Sequence, residues 1–165
     1  MLQRLLITRN DPILTVIRLI LGAVFFAHGA QKMLGWFGGN GFSATMAFFT
    51  HNMGIPAVFA FLAIAAEFFG GLGLLAGLLG RVAAFGILCN MVVAIAVVRS
   101  HGFFMNWTGT HQGEGFEYHL LAIALCVTII VKGSGALSID RAVTGSRPTN
   151  VVEMGRSTNR TAKSA

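Results

Sequence analysis

Four apolar stretches, each close to the length of a membrane-crossing helix, carry charged residues inside or at their ends: Arg18, Lys32, Glu67 and Glu117. A charge in hydrocarbon costs at least ~2.5–3.5 kcal/mol, so a fold that keeps these residues must offset them with partners or use them. The stretches run over Ile13–Leu34, Ala57–Leu79, Val82–Val98 and Glu117–Lys132. About 20 residues are needed to cross, and the third and fourth lie near the lower limit of ~17. A mean hydropathy of +0.72 and 11% charged against 55% apolar residues exclude an ordinary soluble domain, where about a quarter of residues are charged. The expected architecture is all-α: a membrane four-helix bundle over residues 1–143, with a short interfacial helix in the first outer loop. Residues 144–165 read as a basic, disordered cytoplasmic tail.

The first stretch follows Arg4 and Arg9 and ends near the small residues Ala27, Gly29 and Ala30. Its length and the three stretches behind it favour a retained helix over a cleaved signal. Lys and Arg near the span ends set orientation. Arg4 and Arg9 precede the first span, Arg81 sits in the tight second connection, and Arg141, Arg147, Arg156, Arg160 and Lys163 follow the fourth. The longer connections, Gly35–Pro56 and Ser100–Phe116, hold no Lys or Arg. Both termini are therefore expected in the cytoplasm, with the chain multi-pass in the cell (inner) membrane. Trp36 and Trp107 fall in the two outer connections, as an interfacial aromatic belt requires. The pI near 10.4 comes from the tail, which suits anionic lipid head groups rather than nucleic acid.

Small and polar residues recur every three or four positions: Arg18, Gly22, Phe25, Gly29 and Lys32 in the first span, Ala63, Glu67, Gly70, Gly73 and Gly77 in the second, Ala83, Gly86, Asn90 and Ala94 in the third. Such faces pack inward, because helices in lipid associate through close approach and hydrogen bonds. At ~1.5 Å of rise per residue, Glu67 lies near mid-membrane, which makes Arg18–Glu67 the expected buried ion pair. Lys32, Glu117, His119 and His28 are expected to form a second, outer cluster. A buried pair that only fixes helix order competes with a functional role for each layer.

In the first outer loop, Ser43 is the expected cap of a short helix whose Met46, Phe49 and Met53 share an apolar side, lying over the bundle as a lid. The second outer loop, with His101, His111 and Glu114 among glycines, reads as irregular. No metal site is expected, because these His and Glu spacings match no compact ligand motif. A haem between His28 and His119 is conceivable in depth but not favoured. Cys89 and Cys126 lack a C-x-x-C context and read as small buried hydrophobes.

The order and spacing of Arg18-Leu-Ile-Leu-Gly22, His28-Gly-Ala-Gln-Lys32, Glu67-Phe-Phe-Gly-Gly71, Gly80-Arg81, Gly115-Phe-Glu117-Tyr118 and Gly133-Ser-Gly-Ala-Leu-Ser-Ile-Asp140 resemble the DoxX family of small four-helix membrane proteins, over roughly residues 13–143. The resemblance implies an oxidoreductase or quinol-oxidase subunit, or a membrane scaffold for redox and thiol-stress enzymes. Its signature residues map to Arg18, His28, Lys32, Glu67, Glu117 and Tyr118.

Two functions follow as expectations. The first is a quinone-linked oxidoreductase subunit with its site in the outer half of the bundle. Glu67, His28, Lys32 and Glu117 would then handle protons and charge, with Arg18, Tyr118 and His119 as ring-binding groups. Quinone reduction needs donors at two carbonyls and a titratable relay. With no flavin or iron–sulfur motif in the chain, electrons would come from a soluble or membrane redox partner. The second is a non-catalytic scaffold, or a small ligand-binding transporter-like bundle. Neither excludes a homo-oligomer.

Overall fold

The computed structural model describes residues 5–110 and 112–145, so Arg4, His111 and the tail residues 146–165 lie outside the described residues. The four apolar stretches become α1 (Pro12–Leu34), which is followed by the short α2 (Gly41–Ala47), then α3 (Ala57–Ala76), α4 (Gly80–Val98) and α5 (Glu117–Lys132), with a final α6 (Ile139–Thr144). There is no strand among the described residues. α1, α3 and α4 are long and apolar enough to cross a membrane. α5, counted above as a full span, has 16 residues and so rises only ~24 Å, short of the ~30 Å hydrocarbon core. The molecule is an all-helical membrane bundle.

Local chemistry fixes the helix ends. Asp11 caps α1 by accepting from the Ile13 amide at 2.9 Å, with Pro12 at the first helical position, where its missing N–H costs nothing. α3 stops at Ala76 rather than at Leu79 because Gly77 takes φ +66°, the left-handed turn that closes helices.

Successive long helices run antiparallel, which gathers the connections at two ends. At the terminal end, Gly135 N donates to Thr8 Oγ1 at 2.7 Å, and Arg81 reaches from the α3–α4 turn to the carbonyls of Ile7, Ile130 and Val131. The other end, the loop end, carries the connections 35–56 and 99–116. α1 packs most extensively on α3, α4 on α3 and α5, and the seam between α1 and α5 is the thinnest. Backbone contact sets the α1–α3 crossing. A Cβ built on Gly29 would lie 2.4 Å from Phe68 N, and one on Gly71 2.4 Å from Phe26 N. Phe25, Leu74, Ile87, Cys126 and Ile129 fill the interior. Phe59, Phe69, Leu121 and Val131 point outward and stay exposed, as side chains facing lipid would.

The loop-end connection differs from expectation in detail. α2 begins at Gly41 without a side-chain cap, so Ser43 lies inside the helix instead of capping it. The helix then widens into a π-turn over Phe48–Asn52, where Thr50 Oγ1 donates to Met46 O at 2.9 Å. A hydroxyl that bonds back along the helix competes with the main-chain ladder. Of the expected apolar side, Phe49 and Met53 line the cavity described below, whereas Met46 does not.

Candidate functional site

Polar groups occupy two layers, at the terminal and loop ends of the bundle. At the terminal end Arg18 is only 1% exposed. Its guanidinium donates to Ser134 O at 2.9 Å, Leu75 O at 2.8 Å and Leu137 O at 2.6 Å, and also to Leu74 O. Leu74 and Leu75 lie in the last turn of α3, whose carbonyls lack the full set of helical donors; Leu74 O also accepts from the Gly77 amide at 3.2 Å. Asp140, also 1% exposed, accepts from Leu79 N at 2.7 Å, Gly80 N at 3.0 Å and Ser134 Oγ at 2.6 Å. Those two amides open α4. One cation thus caps the end of α3 and one anion the start of α4, each matching the partial charge of the helix terminus it meets.

The expected Arg18–Glu67 pair therefore does not form. Arg18 is saturated by carbonyls at the terminal end, and the partner of Glu67 is Lys32, in an ion pair. Asn90 Nδ2 donates to the other carboxylate oxygen of Glu67 at 2.8 Å. Glu67 is 7% exposed at the middle of α3, so a cation and an amide meet the need of a buried carboxylate for hydrogen-bonded partners.

Lys32, Glu67 and Asn90 stand in the wall of a cavity of about 680 Å³. α1 contributes Phe25, His28 and Lys32; α5 contributes Tyr118 and His119. α3 and α4 supply two facing stripes, Phe59, Leu62, Ala63, Ala66 and Gly86, Asn90, Val93, Val97. All of these but Gly86 lie in the loop-end halves of α3 and α4. Toward the terminal end the same helices close up, with Gly70 against Ile87 and Gly73 against Ala83. The tight turn thus makes the hinge of a V, and the cavity lies in its mouth. Tyr118 Oη and His119 Nδ1 are buried without a hydrogen-bond partner, an arrangement that a polar ligand would satisfy.

The second expected cluster is divided. His28, Lys32, Tyr118 and His119 share the cavity, but Glu117 is not in its wall. Its carboxylate accepts from Met105 N at 3.0 Å and Trp107 Nε1 at 3.1 Å, which pins the 99–116 connection to the start of α5. Cys126 is buried as expected, whereas Cys89 is exposed and lines the cavity, contrary to the expectation for it. Asn90 and Asp140 carry more of the polar architecture than their sequence signals announce. Asn90 was visible as the polar member of the third small face; Asp140 had only its place in the Gly-Ser-Gly segment.

A family profile described as DoxX matches residues 13–100. The chain is 28% identical over 125 residues to "Putative oxidoreductase CatD" of Bacillus subtilis (strain 168), covering 76% of this chain and 82% of that protein. No solved structure matches it.

Proposed function

Because the chain belongs to the DoxX family, we propose that it is a membrane oxidoreductase subunit that binds a quinone-class ring at the Lys32–Glu67–Asn90 cluster. The name carried by the Bacillus relative is consistent with redox work of some kind. The observation that carries the quinone reading is the cavity itself: an apolar chamber in the membrane helices with a charged cluster in its wall and two buried, unpartnered polar atoms, Tyr118 Oη and His119 Nδ1. A flat apolar ring with two polar edges fits that distribution.

A bound quinone would supply two-electron, two-proton chemistry. Tyr118 Oη would donate to a ring carbonyl, and Lys32 would offset negative charge on a ring oxygen. Glu67 holds or releases a proton beside Lys32 while Asn90 fixes its second oxygen. His119 Nδ1 serves as donor or acceptor according to its tautomer. Glu117 is a positioning residue that holds the start of α5, and with it Tyr118, through the 99–116 connection. Arg18 belongs to the architecture of the terminal end. Electrons enter from a partner subunit's redox centre or a soluble donor. The charges at the two ends support cytoplasmic termini in the cell membrane.

The test is solvent extraction of the protein purified in mild detergent, followed by quinone quantification. Near-stoichiometric quinone in the wild type, lost in Lys32→Met and Glu67→Gln proteins of unchanged helical circular dichroism, is the expected result. A wild type that neither carries quinone nor binds added quinone overturns the reading and favours a scaffold.

A further inference from the structure

Building on the quinone reading, we infer that the cavity takes its ligand from the bilayer, through a lateral portal between α3 and α4 that holds the ligand's apolar tail. Phe59, Leu62, Val93 and Val97 stand in the cavity wall and are nevertheless exposed at 63%, 52%, 52% and 42%. A residue that both lines a cavity and faces outward marks its opening, and on membrane-spanning helices that opening faces hydrocarbon. Of the polar lining, Glu67 is buried and Lys32, Asn90 and Tyr118 are partly buried, whereas His28 is exposed. Over the loop end, where water would enter, Phe49, Met53 and Ile55 of the α2–α3 segment line the chamber with apolar side chains.

Size points the same way. A volume of about 680 Å³ lies within the ~300–1,000 Å³ usual for sites that enclose drug-sized ligands, and a bare quinone ring fills only part of it. The occupant is therefore a ring bearing a hydrocarbon or isoprenoid chain: the ring at the charged cluster, the chain leaving between the two stripes. Small residues keep the passage open. Ala63, Ala66, Gly86 and Ala94 line it where larger side chains would fill it. A soluble electron acceptor has no use for such a gap.

The experiment compares two probes in detergent: decyl-substituted dimethoxy-methyl-benzoquinone, and the same ring without the decyl chain. Equilibrium dissociation constants are measured for the wild type, Val93→Trp and Leu62→Trp, with Leu121→Trp on the lipid face of α5 as control. Val93 and Leu62 are exposed, so tryptophan there fills the mouth without crowding the core. The expected result is a decyl-ligand affinity that falls tenfold or more in both portal variants, a ring-only affinity that falls less than threefold, and no change for either ligand in Leu121→Trp. Equal losses for both ligands, or no loss for the decyl ligand, overturn the portal while leaving the quinone site in place. Failure of the wild type to bind either probe overturns both readings.

Discussion

Arg18 and Asp140 show how a single charged residue can be retained inside a membrane protein without touching a ligand. The turn between α3 and α4 leaves main-chain groups with no partner in either helix, and in lipid each unsatisfied group costs several kcal/mol. Arg18 takes the carbonyls of Leu74 and Leu75, and Asp140 takes the amides of Leu79 and Gly80. The carboxylate also holds Leu79 at φ +51°, a left-handed conformation that a branched side chain avoids. Arg18→Met should lower stability by about 3–5 kcal/mol, the scale for stripping one member from a buried charged network. Arg18→Lys should recover only part of this, because one ammonium cannot span four carbonyls as the planar guanidinium does. Thermal unfolding in detergent reads the difference, and an Arg18→Met protein that melts with the wild type would refute the capping role. Depth arithmetic on the sequence pairs Arg18 with Glu67. It had no means to see that the acceptors were backbone carbonyls, which carry no residue signature. Lys32, expected in the outer cluster, reaches Glu67 because its long flexible stem spans more than one helical turn.

Among the elements, the glycine faces decide which helices meet. Small residues at steps of three and four made inward faces legible for the first three spans, and α1, α3 and α4 do pack through them. The sequence did not reveal that α3 has two such faces. Gly71 meets α1 at Phe26, whereas Gly70 and Gly73 meet α4 at Ile87 and Ala83. A stripe read as one surface is a wedge between two neighbours. Gly29→Ala places a methyl group 2.4 Å from Phe68 N, a backbone atom that moves only if α1 and α3 separate. It should cost about 1–3 kcal/mol or more as an overpacked contact. Gly86→Ala meets only Ala66 Cβ at ordinary distance, so the ~0.5–1 kcal/mol gained by replacing a mid-helix glycine should leave it neutral or slightly stabilised. Unfolding temperatures that place the two variants in the opposite order would show that the α1–α3 crossing is looser than its backbone contact requires. The start of α2 and the π-turn were not legible, because Ser43 has the composition of a cap, whereas the helix starts two residues earlier with no side-chain cap.

At the scale of the whole molecule, antiparallel order and the V between α3 and α4 give the bundle two unlike ends. Arg9, Arg81, Lys132 and Arg141 gather at the terminal end, where Arg81 ties the α3–α4 turn to the N-terminal segment and the end of α5. At the loop end, Lys32 is neutralised by Glu67, and Arg99 is the other Lys or Arg of the described residues there. Lys and Arg near span ends are held on the cytoplasmic side, so the terminal end should face the cytoplasm and the loop end the outside. Exposed Trp36 and Trp107 then sit at the outer interface, above the cavity. Cysteine labelling in intact cells checks this in a Cys89→Ala, Cys126→Ala background. A membrane-impermeant maleimide should react with Ser43→Cys and Thr108→Cys from outside, and with Ala142→Cys only after the membrane is permeabilised. The reverse pattern would invert the molecule. It would put the Lys32–Glu67 layer in the cytoplasmic half of the bilayer, and any proton exchanged there would come from the cytoplasm instead of the outside.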